Sequence, residues 1–141
     1  MDFNATAFAI GMLLALSVSL AATWVGFDRD RSLYPVMTVV IASFYGLFAV
    51  MGGSTSTLLL ETVAASVFVA AAVWAFKRSL WLAVLALAGH GLFDLFHGHI
   101  IADPGVPAWW PMFCASYDVV AALYLAWLLH RQRLAARVNP A

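Results

Sequence analysis

The stretch LWLAVLALAGHGLFDLFHGHI, residues 80–100, decides the fold because it is long and apolar enough to cross a lipid bilayer. A hydrocarbon core about 30 Å thick requires about 20 helical residues at about 1.5 Å each. The stretch contains no lysine or arginine, yet it carries His90, Asp94 and His97 among its apolar residues. We therefore predict a transmembrane helix with ionisable side chains inside the membrane.

Four further apolar runs of similar length flank this stretch. Together with residues 80–100, these runs predict five helices, over residues 5–26, 33–51, 57–76, 80–100 and 111–130. The short segments between them contain the glycine, proline, aspartate and serine residues that turns require. Pro35 and Pro111 fall near predicted helix starts, where a proline is tolerated because its missing N–H would lack a helical partner anyway. The expected fold class is an all-α integral membrane bundle of five transmembrane helices, with residues 1–141 as a single transmembrane domain.

The composition supports a membrane protein and excludes several other classes. Hydrophobic residues make up 65% of the chain and charged residues 10%, whereas soluble domains contain about 25% charged residues. Seven basic and seven acidic residues cancel, so no positive surplus exists to bind nucleic acid. The single cysteine, Cys114, cannot form an intramolecular disulfide. The expected partners are the lipid bilayer and, because five short helices enclose little volume, a homo-oligomer or a larger membrane complex.

The positions of the positive charges predict the orientation in the membrane. All seven basic residues follow the first, third or fifth predicted helix: Arg29, Arg31, Lys77, Arg78, Arg131, Arg133 and Arg137. Short loops rich in lysine and arginine remain in the cytoplasm. We therefore expect the N-terminus outside, the C-terminus inside, and a multi-pass location in the inner (cytoplasmic) membrane. The alternating charges of residues 28–31 predict a solvated turn with internal ion pairs.

Helix periodicity places three polar side chains of residues 80–100 on one face. At about 100° per residue, His90, Asp94 and His97 lie at about 0°, 40° and 340°. His99 falls at about 180° on the same count, so it should reach water or the loop that contains Asp103. An ionised aspartate at a helix centre costs about 2.5–3.5 kcal/mol, so such side chains turn inward and find partners.

Carboxylates on two other predicted helices reach the same depth as Asp94. Counting from the predicted helix ends places Glu61, Asp94 and Asp118 in one layer, about 6–10 Å below the outer surface. Cys114 precedes Asp118 by one turn, and Tyr45 reaches a similar depth on the second helix. Four of the five predicted helices therefore contribute a polar group to the outer half of the bundle.

Histidines and carboxylates in this arrangement predict a metal site. They are ligands of zinc, iron and manganese, and metal sites in helix bundles are commonly built from Glu and His on facing helices. The expected ligands of a divalent ion are His90, Asp94, His97, Glu61 and Asp118, in a pocket open toward the outer side. Cys114 is an additional candidate ligand. If the protein is an enzyme, we expect metal-assisted chemistry on a lipid-soluble substrate.

Other interpretations of the same residues stay open. The polar groups could form hydrogen bonds between helices, with protonated carboxyls, and serve packing alone. They could also form an ion or proton path, since Asp, Glu and His line such paths in transporters. A third alternative is an accessory subunit of a membrane complex. A haem with two histidine ligands is disfavoured because His130 lies at the opposite membrane face from the other histidines.

Three segments of the chain carry a family resemblance: FDRDRSLYPVM (27–37), GHGLFDLFHGHI (89–100) and PAWWPMFCASYDVV (107–120). Together they resemble a family of small bacterial integral membrane proteins of unknown function. The resemblance covers most of the chain and implies a bacterial membrane protein of this topology. It implies no activity.

Overall fold

The computed structural model describes residues 3–138, with side chains through residue 132, as five helices joined by short turns. The helices are α1 (Ala5–Val25), α2 (Leu33–Met51), α3 (Thr55–Lys77), α4 (Leu80–Ile100) and α5 (Trp110–Val138). All five are long and apolar enough to cross a membrane. The described residues contain no strand. The predicted all-α bundle of five membrane-spanning helices is thus confirmed.

Local capping explains where the helices begin and end. The Asn4 Oδ1 atom accepts a hydrogen bond from the Ala7 N–H at 2.9 Å and starts α1. Helix α3 starts two residues before the predicted position because the Ser54 hydroxyl oxygen accepts from the Thr57 N–H at 3.2 Å. Helix α5 continues past the predicted end at residue 130, since residues 131–137 are mostly strong helix formers.

The five helices pack with α4 near the centre of the bundle. Helix α5 packs on one side of α4, α3 packs on another, and α2 contacts both α3 and α4. Only Arg78 and Ser79 separate α3 from α4, so these helices form a tight antiparallel hairpin. Helix α1 packs against α5. This order brings α2, α4 and α5 together around one buried interior.

Small residues allow α1 to approach α5 closely. The buried face of α1 consists of small side chains at helical spacing: Ala7, Gly11, Ala15, Ser19 and Ala22. A Cβ atom at Gly11 would collide with the backbone carbonyl of Phe113 and with the Ser116 hydroxyl. The backbones of α1 and α5 therefore lie in close contact at this face.

The outward faces of the helices carry large apolar side chains. Leu59, Val63 and Val67 of α3 and Leu85 and Leu92 of α4 are all more than half exposed. A continuous apolar exterior of this kind is suited to lipid. The orientation remains a prediction, and the side chains of Arg133 and Arg137, on which it partly depends, lie outside the described residues.

The predicted internal ion pairs of residues 28–31 are wrong. Within the described residues, the Asp28 carboxylate accepts a hydrogen bond from the Thr23 hydroxyl at 2.6 Å, and the Asp30 carboxylate accepts from the Ser32 N–H at 3.1 Å. Neither carboxylate lies within ion-pair distance of any arginine whose side chain the structure describes. Both carboxylates are instead used to shape the turn between α1 and α2.

Candidate metal centre

The polar face of α4 lies in the interior of the bundle, as the periodicity predicts. His90, Asp94 and His97 are each at most 2% exposed. His99 is exposed on another side of the helix and lines a surface cleft together with Asp103. The helix therefore directs three ionisable side chains inward and one outward.

Four of the buried side chains form a compact group between α4 and α5. His90 Nδ1 lies 2.8 Å from Asp118 Oδ2 and 3.4 Å from Asp94 Oδ2. One ligand atom from each of His90, Asp94, Cys114 and Asp118 lies within 4.8 Å of the other three. We refer to these four residues as the ligand group.

The spacing of residues along the two helices creates the ligand group. His90 and Asp94 are one turn apart on α4, and Cys114 and Asp118 are one turn apart on α5. Gly91 lies at the crossing, where an added Cβ would be 3.1 Å from the Ala115 carbonyl oxygen and 3.2 Å from the Asp118 Cβ. The missing side chain thus lets the two pairs of ligands face each other.

Glu61 and His97 form a separate pair beside the ligand group. We refer to the ligand group, this pair and Tyr45 together as the polar layer. His97 Nε2 hydrogen-bonds Glu61 Oε1 at 2.6 Å, and both side chains are buried. These two residues do not belong to the ligand group. The structure therefore buries all five predicted ligands but divides them, with His90, Asp94 and Asp118 in one group and Glu61 and His97 in another.

Tyr45 connects the two groups. Its hydroxyl donates a hydrogen bond to Asp94 Oδ1 at 2.6 Å. Its ring stacks on the His97 imidazole, with ring centroids 3.9 Å apart and planes inclined by 17°. A contact path therefore runs from Glu61 through His97, Tyr45 and Asp94 to the remainder of the ligand group.

Cys114 and Tyr45 complete the polar layer, although neither is one of the five ligands expected from the sequence. The signal for Cys114 was its position one turn before Asp118, and the signal for Tyr45 was its depth on α2. Both side chains are 2% exposed. Tyr45 is placed to orient Asp94, whereas Cys114 is placed to act as a ligand.

Within the described residues, the ligand group contains two carboxyl groups and one basic side chain. Asp94 and Asp118 have a single imidazole, His90, between them, and every ion pair in the described part of the chain involves a histidine. Asp94 Oδ2, Asp118 Oδ1 and Glu61 Oε2 are buried without a hydrogen-bond partner. A buried carboxylate oxygen without a partner is costly. A cation bound in the ligand group would satisfy the Asp94 and Asp118 oxygens.

A cleft borders the polar layer at the bundle end that holds the turn between α4 and α5. It has a volume of about 1040 Å³, and residues from the start of α1 and the end of α4 line it along with this turn. His97 is the member of the polar layer that lines the cleft. The ligand group is thus enclosed, in contrast to the predicted open pocket, and among the described residues of the polar layer His97 alone lines the cleft.

Comparison with known proteins adds no relative from which a role could be transferred. No protein-family model, curated protein or solved structure matches this chain. The function has to be argued from the site itself.

Proposed function

We propose that this protein binds a divalent transition metal ion inside the membrane through His90, Asp94, Cys114 and Asp118. The observation that carries the proposal is the set of four buried donor atoms within 4.8 Å of one another. Two of these side chains are carboxylates with an unsatisfied buried oxygen. A divalent cation would balance both carboxylates and favour their ionised form.

The donor types favour zinc over manganese, with iron as the second choice. Thiolate and imidazole ligands suit zinc, whereas manganese prefers carboxylate and water oxygens. In a tetrahedral zinc site with bonds of about 2.0–2.3 Å, the ligand atoms are about 3.3–3.8 Å apart. The ligand group, with separations up to 4.8 Å, would therefore contract by about 1 Å at its widest.

Elemental analysis of detergent-purified protein tests metal binding directly. The wild type, dialysed without chelator, should retain about one equivalent of zinc, and the Asp94→Asn/Asp118→Asn variant should lose it. Glu61→Gln is the matched control, because Glu61 is an equally buried carboxylate outside the ligand group. A wild type without zinc, iron or manganese would refute the proposal. Size-exclusion chromatography confirms that each variant remains folded, and Cys114→Ser provides a second ligand variant.

A second candidate function, metal-assisted chemistry on a lipid-soluble substrate, is favoured by the cleft. Leu95, Ile101 and Trp109 contribute to its lining and provide apolar surface beside His97. A substrate in the cleft would meet His97 with Glu61 behind it, a pair suited to general-base catalysis. Tyr45 would connect this pair to the ligand group through its contacts with His97 and Asp94.

Lipid mass spectrometry tests the second candidate. Zinc-loaded protein incubated in bilayer discs made from bacterial lipid extract should change the mass of at least one lipid. His97→Gln should abolish this change while the zinc content remains at the wild-type level. Activity that survives in His97→Gln would rule out a catalytic role for the Glu61–His97 pair. Zinc binding without any lipid change would support metal binding but not the second candidate function.

Ion or proton transport is less well supported because the polar layer occupies one half of the bundle. Among the described residues, the buried side chains of the other half include Ile41, Leu87 and Leu125, and its buried polar groups are the hydroxyls of Ser19, Tyr34 and Thr38, with no carboxyl or imidazole. A transmembrane path would need polar groups or water on both sides. Proton flux into liposomes that is abolished in Glu61→Gln would nevertheless favour transport over the proposed chemistry.

A further inference from the structure

A small cationic pocket lies on the surface at the opposite end of the bundle from the cleft, between the turns. Its volume is about 440 Å³, and its polar lining comes from Arg31, Arg78, Ser79 and Gln132. These residues belong to three separate parts of the chain: the turn before α2, the turn between α3 and α4, and the end of α5. The fold therefore gathers two arginines that are distant in sequence.

Neither arginine is neutralised by the described part of the chain. The Arg31 guanidinium donates one long hydrogen bond, 3.4 Å, to the Ala75 carbonyl oxygen. Neither Arg31 nor Arg78 forms an ion pair with another described residue. The nearby Asp28 and Asp30 are occupied by Thr23 and by the Ser32 N–H. Two like charges that share one pocket repel each other, so this arrangement favours an anion between them.

The position of the pocket indicates where the anion comes from. Arg78 and Ser79 lie between two membrane-spanning helices, which places the pocket at the level of the lipid headgroups. Trp81 also lines it, and tryptophan side chains prefer this interfacial level. Leu80 and Leu129 supply apolar walls beside the charged groups. A ligand with an anionic headgroup and an apolar remainder fits both parts.

We propose that this pocket binds the phosphodiester group of an anionic phospholipid, and that Arg31 and Arg78 contact its phosphate oxygens. Guanidinium groups bind phosphate oxygens through paired hydrogen bonds. The Ser79 hydroxyl and the Gln132 amide line the same pocket and can donate further hydrogen bonds. Basic pockets between transmembrane helices on the cytoplasmic side bind anionic headgroups in this way, and the predicted orientation places this end in the cytoplasm.

Lipid titration of detergent-purified protein, followed by native mass spectrometry, tests this site. Dioleoyl phosphatidylglycerol should bind the wild type about tenfold more tightly than dioleoyl phosphatidylcholine. Arg31→Gln and Arg78→Gln should each weaken phosphatidylglycerol binding about fivefold. The double variant should bind both lipids equally. Both arginines are exposed, so these changes should leave the melting temperature in phosphatidylcholine unchanged.

Two control variants separate the pocket from the general positive charge of this end. Lys77 and Arg131 lie at the same end of the bundle but outside the pocket. The Arg131 guanidinium lies 4.7 Å from the centre of the Trp127 ring. Lys77→Gln and Arg131→Gln should change phosphatidylglycerol affinity less than twofold.

Three results would overturn the proposal. The first is equal binding of the two lipids by the wild type. The second is a loss of affinity in the control variants as large as in the arginine variants. The third is displacement of phosphatidylglycerol by millimolar inorganic phosphate, which would identify a soluble anion as the ligand.

Discussion

The two halves of the bundle are equally buried, but their interiors have opposite chemistry. Toward the cleft, His90, Asp94 and Asp118 are at most 1% exposed. Toward the cationic end, Leu87 and Leu125 are at most 2% exposed and pack in an apolar cluster. Burial alone therefore does not distinguish the two halves. The difference is that the half toward the cleft buries carboxyl groups, whereas the unpartnered polar groups buried toward the cationic end, Ser19 and Tyr34, are hydroxyls.

The energetic consequences of the two interiors differ. In lipid, helix association gains little from the hydrophobic effect, so the apolar half is held by close packing of side chains. The polar half contains carboxylate oxygens that have no hydrogen-bond partner among the described residues. Its stability should therefore depend on a ligand from solution, whereas the stability of the apolar half should not.

The largest expected effect is the removal of metal. A chelator should lower the free energy of unfolding of zinc-loaded wild type by about 4 kcal/mol if zinc was present at about a thousandfold above its Kd. The Asp94→Asn/Asp118→Asn variant should not respond to chelator because its site is empty. Thermal unfolding followed by tryptophan fluorescence measures both proteins. A wild-type melting temperature that is insensitive to zinc and to chelator would contradict the proposed difference between the halves.

A cavity in the apolar half should have a smaller effect that is independent of metal. Leu125→Ala should destabilise the protein by about 2 kcal/mol, the lower end for a buried leucine, because lipid already solvates apolar side chains. Leu123→Ala on the lipid-facing side of the same helix, where Leu123 is 65% exposed, should change stability by less than about 0.5 kcal/mol. Denaturant titration measures the stabilities, and elemental analysis should find wild-type zinc in both variants. Loss of zinc from Leu125→Ala would mean that the halves are coupled.

The smallest expected effect concerns the hydroxyl that orients a ligand. Tyr45→Phe removes the hydrogen bond to Asp94 Oδ1 and should weaken zinc binding about tenfold, as expected for a group that positions a ligand. Tyr117→Phe is the control, because its hydroxyl donates to the Met37 sulfur at 3.5 Å. Competition with a zinc-sensitive dye measures both affinities. Equal affinities of the two variants would show that Tyr45 contributes packing only.

The helices and the buried face of α4 could be predicted from the sequence because both depend on local patterns. Apolar run length determines the helix bounds, and the spacing of His90, Asp94 and His97 determines their common face. Depth counting predicts that Glu61 and Asp118 lie level with Asp94, and both side chains are buried and hydrogen-bonded to histidines of α4. These quantities need only the rise and the rotation per residue along one helix.

The division of the polar residues into two groups could not be predicted in this way. Whether His97 faces Glu61 or Asp118 depends on how α3, α4 and α5 are rotated about their axes and how closely they approach. Gly91 sets one of these approaches, but a single glycine in an apolar run does not reveal which neighbour it admits. The same uncertainty left Cys114 outside the preferred ligand set.

The contact between α1 and α5 also imposes an order of assembly. The partners lie far apart along the chain, as the hydrogen bond across 101 positions between Thr23 and Tyr124 illustrates. At synthesis rates of about 5–20 residues per second, α1 would wait about 5–20 s in the membrane before α5 emerges. Its small-residue face, which includes Gly11, would be available to other helices during that time. The ligand group itself needs Cys114 and Asp118 of α5, so the site could form only after α5 has been synthesised.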